Sequence, residues 1–117
     1  MSQALKLQTA LRGALLGMVL GAVPISASAG GLKASEVLEM MDTKELGAYT
    51  AGLVEGLAYA RYVQDGKVED QGMKCILDWY YDGGKTAQKV TLAYHKFSDH
   101  TANAIVGALV ERACPAS

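Results

Sequence analysis

The sequence lacks the short motifs that mark most catalytic and cofactor-binding sites. It contains no G-x-S-x-G, no H-E-x-x-H, no C-x-x-C, no phosphate-binding P-loop and no G-x-G-x-x-G. Because C-x-x-C-H is absent, covalent attachment of a c-type haem is excluded. These absences favour a protein that is not an enzyme and that carries no cofactor.

An excess of basic residues is also lacking. The chain has 11 Lys and Arg against 12 Asp and Glu, a formal net charge of −1. Residues 30–117 keep all the acids but lose Lys6 and Arg12, so their formal charge is −3. Because a nucleic-acid-binding domain usually presents a basic face, we expect no nucleic-acid partner.

Long apolar runs are scarce except near the N-terminus. Lys6 and Arg12 precede an apolar run from Ala14 to Ile25, and Ala27-Ser28-Ala29 follows it. A basic segment, a short apolar segment and an A-x-A site are typical of a Sec signal peptide. The run of about 12 residues is too short to span a ~30 Å hydrocarbon core comfortably. A short membrane anchor or a buried N-terminal helix is the alternative.

Cleavage of that signal peptide defines the predicted mature protein. The peptide covers residues 1–29 and the cut falls at about Gly30, which leaves 30–117 as a single small domain. We therefore expect a periplasmic or secreted protein with no stable membrane anchor after cleavage. A domain of this size also allows a homodimer formed through a helix face.

Cysteine is rare, and the predicted compartment constrains its role. Cys75 and Cys114 are the two cysteines of the chain, and disulfides persist in oxidising compartments. A bond between them would close a loop of about 40 residues, worth roughly 4 kcal/mol in the chain-entropy model. The alternatives are a buried free thiol and a reactive or metal-ligating thiol, for example Cys75 with His95 as its base.

Proline and alternating β-branched runs are scarce after residue 30, which predicts an all-α fold. Four or five short helices with short connections indicate a small bundle stapled by the disulfide. The first predicted helix runs from about Ser35, its N-cap, to Met41, and the second runs from about Thr43, capped by Asp42 or Thr43, to Gly66. The third runs from about Lys74 and stops at Gly83-Gly84, and the fourth runs from Lys85 to Phe97. The fifth is capped by Ser98 or Asp99 and ends at Cys114-Pro115. The polar segment Lys67–Met73 is predicted to be a loop.

Apolar residues recur at helical spacing and predict the core. The predicted buried positions are Leu46, Tyr49, Leu53, Leu57 and Ala60; Cys75, Ile76, Trp79 and Tyr80; Ala87, Val90, Tyr94 and Phe97; and Ala102, Ile105, Val106, Leu109 and Ala113. Gly52 and Gly56 lie one helical turn apart and each costs about 1 kcal/mol relative to Ala. They predict a close helix crossing or a backbone contact.

A few polar and aromatic residues could carry chemistry. His95, Asp99 and His100 could form a weak metal site, but two solvated histidines are the simpler interpretation, so we predict no metal. Asp78 and Asp82 are one turn apart and indicate an exposed helix face rather than a catalytic pair. Two tyrosines of the second helix, Tyr59 and Tyr62, lie off the predicted core stripe, where they either pack or contribute to a binding surface.

The segment YTAGLVEGLAYA resembles the Tyr-x-x-Gly-x-x-acid-Gly helix of the Rap/Tai family of periplasmic immunity proteins, through Tyr49, Gly52, Glu55 and Gly56. Cys75-Ile76 and the terminal Cys114-Pro115 are similar to further positions of that family, and the resemblance extends over about 46–115. The chain departs from the family at Leu46, where a Cys is usual, and in having Cys-Pro rather than Pro-Cys at its end. The segment CILDWYYDGG also resembles the small secreted proteins called HdeA-like.

These resemblances imply a periplasmic helical protein that acts by contact with another protein. A Rap/Tai immunity protein would neutralise a secreted cell-wall amidase toxin, whereas an HdeA-like protein would be a chaperone active under acid stress. The sequence does not identify the partner, which would be a toxin in the first case and an unfolded client in the second. Candidate contact surfaces are the loop Lys67–Gly72 and the turn Asp82-Gly83-Gly84.

Overall fold

A computed structural model describes residues 31–116, which form five α-helices and contain no β-strand. The helices are α1 (Ala34–Met40), α2 (Thr43–Gln64), α3 (Lys74–Tyr81), α4 (Thr86–Lys96) and α5 (Ala102–Ala113). The predicted all-α class and the helix number are confirmed. The predicted signal peptide lies outside the described residues. None of the helices in the described range is long and apolar enough to cross a membrane.

The N-cap of the first helix lies two residues earlier than predicted, so Ser35 is not the cap. Lys33 occupies the cap position in an extended conformation, and its backbone N–H donates to Glu36 Oε1 at 3.1 Å. The cause is tertiary: Lys33 pairs with Thr101 in an isolated antiparallel bridge, and the Ser35 N–H donates to the Ser98 carbonyl. Backbone pairing with the α4–α5 turn thus sets where α1 starts.

The ends of α2 follow from local sequence, as predicted. Asp42 is the N-cap, because its Oδ1 accepts the Glu45 N–H at 2.8 Å while Glu45 Oε1 accepts the Asp42 N–H at 3.1 Å. After the last turn, Gly66 has φ +83°, a conformation that glycine adopts without steric cost. Lys67 follows at φ +65°.

The connection between α2 and α3 is irregular. Glu69–Met73 forms a wide turn that leads into α3, but Asp70 and Gln71 depart from helical φ/ψ. The polar segment is therefore a kinked connection and not a regular helix. The turn packs against both α2 and α3.

The N-cap of α5 is Thr101, not Ser98 or Asp99 as predicted. Its hydroxyl accepts the Ala104 N–H at 3.4 Å. Ala34 N–H donates to the His100 carbonyl and Ala102 N–H to the Leu32 carbonyl, both at 2.8 Å. Residues 97–100 form a turn and a bend, held by these bonds and by the bond from the His100 N–H to the Phe97 carbonyl, so the helix starts after them.

All five helices contribute to the core, but not always through the predicted residues. The buried apolar residues are Ala34, Val37, Val54, Ala58, Ile76, Tyr80, Val90, Tyr94, Ala102, Ile105, Val106, Val110 and Cys114. The wrongly predicted core residues, which are exposed, are Ala60, Cys75, Ala87, Phe97 and Ala113. The half-buried ones, which pack around the core, are Leu46, Tyr49, Leu53, Leu57, Trp79 and Leu109.

The buried row of α2 is displaced from the predicted one. It consists of Thr50, Val54, Ala58 and Arg61. Two of its members are polar: the Thr50 hydroxyl bonds to Tyr94, and the stem of Arg61 lies against Gly72. A search for regularly spaced apolar residues does not count Thr and Arg as buried. The sequence therefore predicted neighbouring residues of α2 as the buried row.

Candidate functional site

The predicted disulfide joins the first turn of α3 to the end of α5. Cys75 and Cys114 are bonded, with their Cα atoms 6.0 Å apart, and Cys114 is buried. The pairing is confirmed, and it removes Cys75 as a nucleophile or a metal ligand. In this chain the cysteines hold two helices together rather than perform chemistry.

The residues of the family-like helix divide between two environments. Tyr49 is half-buried against the core, whereas Gly52, Glu55 and Gly56 are exposed. Apart from the adjacent residues and nearby backbone of α2 itself, no atom of the described residues lies within 4 Å of a Cβ placed on Gly52 or Gly56. Within the described residues, the predicted close crossing at these glycines is therefore wrong.

The exposed side of α2 continues toward aromatic residues. Tyr59 is 64% exposed, and its ring centroid lies 5.9 Å from that of the half-buried Tyr62. Glu55 approaches Tyr81, whose pKa is raised by desolvation and further by the Glu55 carboxylate. This side of the helix thus combines two open glycines with exposed aromatic rings.

The predicted turn Asp82-Gly83-Gly84 is exposed and structurally constrained. Gly84 has φ +69°. A Cβ on Gly83 would lie 2.6 Å from the Trp79 carbonyl oxygen, which accepts a hydrogen bond from the Thr86 hydroxyl at 2.7 Å. The two glycines therefore allow a tight connection from α3 to α4.

The predicted contact loop Lys67–Gly72 is anchored to α2 at its far end. Gly72 N–H donates to Asp65 Oδ2 at 3.3 Å. A Cβ on Gly72 would overlap the Arg61 side chain, lying 2.7 Å from its Cδ. Within this loop Lys67, Glu69, Asp70 and Gln71 are exposed, whereas Val68 and Gly72 are half-buried.

The polar candidates from the sequence are not brought together. His95 and His100 line different clefts, and the described part of the chain holds no group of three or more His, Cys, Asp or Glu residues placed to bind a metal ion. Asp78 forms an exposed ion pair with Lys74, whose pKa is raised mainly by the hydrogen bond to Asp78. Asp78 is thus occupied by a neighbour on its own helix.

A surface groove between α2 and α4, here called the α2–α4 groove, was not predicted from the sequence. Its open volume is about 620 Å³. Its lining residues are Thr43, Leu46, Gly47, Thr50, Tyr80, Ala87, Gln88, Thr91, Leu92 and His95. None of them is an Asp, Glu, Lys or Arg, and Leu92 is 68% exposed on the rim.

The base of this groove is built on a buried hydrogen bond. Thr50 Oγ1 lies 3.0 Å from the hydroxyl of Tyr94, which is completely buried. Burial raises the pKa of Tyr94, partly offset by the bond to Thr50, and burial likewise raises the pKa of Tyr80. Tyr80 lines the groove together with Thr43, Thr50 and Thr91, so the groove offers apolar surface with a few hydroxyl groups.

These features suit binding of an uncharged, apolar segment. Hydrophobic walls with a few fixed polar groups are the usual composition of binding clefts.

Comparison with protein-family models, with curated proteins and with solved structures found no match.

Proposed function

We propose that the chain is a secreted, non-enzymatic protein that acts by binding another protein, and that the α2–α4 groove is its contact surface. The observation that carries the proposal is the exposed apolar wall of this groove. Leu92 holds 68% of its surface in water beside Leu46, in a lining without formal charge. Full burial of such a side chain contributes about 1.5–3 kcal/mol to the free energy of binding, and a protein partner would provide the surface that covers it.

The absence of charge in the lining defines the segment that fits. A charged side chain entering the groove would lose hydration and find no opposite charge there. The partner should therefore insert an apolar loop or the apolar face of a helix, with hydroxyl or amide groups that can reach Thr43, Gln88 or Thr91.

Within this class, the resemblance in Tyr49, Gly52, Glu55 and Gly56 supports an immunity protein that neutralises a secreted cell-wall amidase. Three of these four residues lie on the exposed side of α2 and none lines the groove. The groove and the exposed side of α2 are therefore two different candidate contact surfaces, and substitutions on each can show which one binds the partner.

Two glycines of α2 provide a matched test. Gly47 lines the groove and Gly52 lies on the exposed side, and a Cβ on either residue meets no atom within 4 Å. Gly47→Phe should fill the groove, whereas Gly52→Phe adds the same side chain to the same helix elsewhere. Both variants should fold, because each replaces a helical glycine in open space.

The assay mixes the purified oxidised protein with secreted peptidoglycan amidases encoded by the same genome and follows peptidoglycan hydrolysis and complex formation. We expect a stoichiometric complex that inhibits one amidase, loss of inhibition in Gly47→Phe and retention in Gly52→Phe. Inhibition that is lost only in Gly52→Phe would transfer the contact to the family-like face. Absence of inhibition and of a complex with every amidase would reject the immunity function.

An acid-activated chaperone is the second candidate. Once the carboxylates are protonated at low pH, nine Lys and Arg plus two His leave a positive charge of up to +11 in residues 30–117. Such repulsion would loosen a small domain and expose apolar surface. The disulfide would keep the loosened chain connected.

A pH series separates this candidate from the first. Circular dichroism should show loss of tertiary signal at pH 2–3, together with suppression of aggregation of an acid-denatured client protein. A domain that stays folded at that pH and leaves client aggregation unchanged is not an acid chaperone.

A further inference from the structure

A second cleft lies between α4 and α5, and its charged residues are all cationic. This α4–α5 cleft has a volume of about 420 Å³. Its lining residues are Ala93, Lys96, Phe97, His100, Ala104, Ile105, Ala108, Leu109 and Arg112. It shares no residue with the α2–α4 groove. Its lining includes Lys96 and Arg112 but no Asp or Glu, although residues 30–117 have a formal charge of −3.

The cationic groups mark the two ends of the cleft. At the α4–α5 turn, Lys96 Nζ lies 5.5 Å from the centroid of the Phe97 ring, and His100 meets the same ring edge-on at 5.8 Å. Arg112 is in the last turn of α5. Because a helix rises about 1.5 Å per residue, Arg112 lies about 12 Å along the axis from Ala104, near the first end.

The surface between the two ends is apolar. Ala104 and Ala108 are exposed one turn apart on α5, and small side chains at this spacing let another helix approach closely. Phe97 is 44% exposed at the rim, and Leu109 is half-buried in the wall. The result is an apolar trough about two helical turns long between the cationic ends.

The cations of the trough have no acidic partners in the described part of the chain. In the described part of the chain, the ion pair that is formed joins Lys74 to Asp78 on α3, away from the trough. Lys96 and Arg112 are therefore available to an external anion. A fatty acid brings one carboxylate and could match only one end, whereas a helix can carry acids two turns apart, at both ends.

We propose that the α4–α5 cleft binds an acidic amphipathic helix of a partner protein. Its acids, seven or eight residues apart, would pair with Arg112 at one end and with Lys96 at the other. Its apolar residues would pack on Phe97 and the exposed alanines, as in other helix-in-groove complexes. This site does not depend on the proposed function, because the two surfaces have no residue in common.

The test uses designed helical peptides and the purified, oxidised full chain. The peptides are about 18 residues long, since shorter isolated helices are marginal in water. One carries Glu at two positions seven residues apart with Leu and Ala between them, the second places the same Glu residues on opposite faces, and the third has Lys in place of Glu. Fluorescence anisotropy at low and high salt measures binding.

We expect the first peptide to bind saturably, the second to bind at least about tenfold more weakly, and the third not to bind. Lys96→Glu/Arg112→Glu should weaken the first peptide about tenfold or more. The control Lys85→Glu/Lys89→Glu makes the same change in net charge at exposed sites outside the cleft, and it should stay within about twofold. High salt should weaken binding of the first peptide.

Three outcomes would overturn the proposal. They are no saturable binding of the first peptide, equal binding of the Lys peptide, and equal losses in the two double variants. Sedimentation velocity addresses a second copy of the chain as the occupant. Self-association that Lys96→Glu/Arg112→Glu abolishes, and the control does not, would assign the cleft to that copy and reject a separate partner.

Discussion

Replacing the two exposed glycines of α2 by alanine should stabilise the protein. Gly52 and Gly56 lie within a helix of 22 residues, and a Cβ added to either meets no atom within 4 Å beyond the nearby backbone and adjacent residues of that helix. Alanine is favoured over glycine in a helix interior by about 0.8–1.0 kcal/mol, and nothing in the described residues opposes the added methyl groups. The double variant should therefore gain about 1.5–2 kcal/mol in free energy of unfolding.

Urea and thermal unfolding measure this gain. For a domain of this size, each kcal/mol shifts Tm by about 4–8 °C, so Gly52→Ala/Gly56→Ala should raise Tm by roughly 6–16 °C. The urea m-value should be unchanged, since the same surface is exposed on unfolding. Destabilisation by the double variant would refute the open placement of this helix face and restore the close helix contact that the sequence suggested.

Gly72→Ala is the matched opposite case. Its Cβ would overlap the Arg61 stem, at 2.7 Å from Cδ, and would also lie 2.7 Å from Asp65 Oδ2. Arg61 is only 7% exposed, so the side chain has little room to move away. We expect a loss of stability of about 1–3 kcal/mol, the usual cost of overpacking. A stabilising Gly72→Ala would show that the α2–α3 connection is placed wrongly.

The remaining predictions concern bonds in the structure. Reduction of Cys75–Cys114 should cost roughly 4 kcal/mol, measured by urea unfolding with and without reductant, and an unchanged midpoint would contradict a structural role. Tyr94→Phe should cost about 1–3 kcal/mol by leaving the Thr50 hydroxyl without its partner, whereas Thr50→Val/Tyr94→Phe should cost less than the sum of the single variants. Burial raises the pKa of Tyr94 in the folded protein above its unfolded value of about 10. The neutral Tyr94 hydroxyl therefore contributes fully to the free energy of unfolding below about pH 10, and this contribution is lost as pH rises through the folded pKa. If Tyr94→Phe leaves the dependence of stability on pH unchanged between about pH 9 and 12, this reasoning is wrong. Asp42→Ala should cost about 1 kcal/mol and Asp42→Asn much less, and equal losses in thermal unfolding would exclude a capping role.

Features encoded by neighbouring residues could be predicted from the sequence. Asp42 with Glu45 three residues later, and Gly66 at the other end, predicted both limits of α2. The start of α5 is different, because Ser98, Asp99 and Thr101 are all good N-cap residues. The choice of Thr101 depends on backbone bonds to the segment before α1, about seventy residues away. No local pattern carries that information.

The candidate surfaces could not be predicted because they depend on contacts between helices distant in the sequence. The α2–α4 groove exists where Thr50 meets Tyr94 across 44 residues, and Thr50 lies in a buried row that hydrophobic spacing overlooks. The α4–α5 cleft joins neighbouring helices, but the predicted core stripe placed Phe97 inside. Since Phe97 is instead 44% exposed between Lys96 and His100, the apolar periodicity of α4 there encodes a surface rather than a core. The same i, i+3, i+4 spacing serves burial and docking alike, so only tertiary structure separates residues that stabilise the fold from residues free to bind a partner.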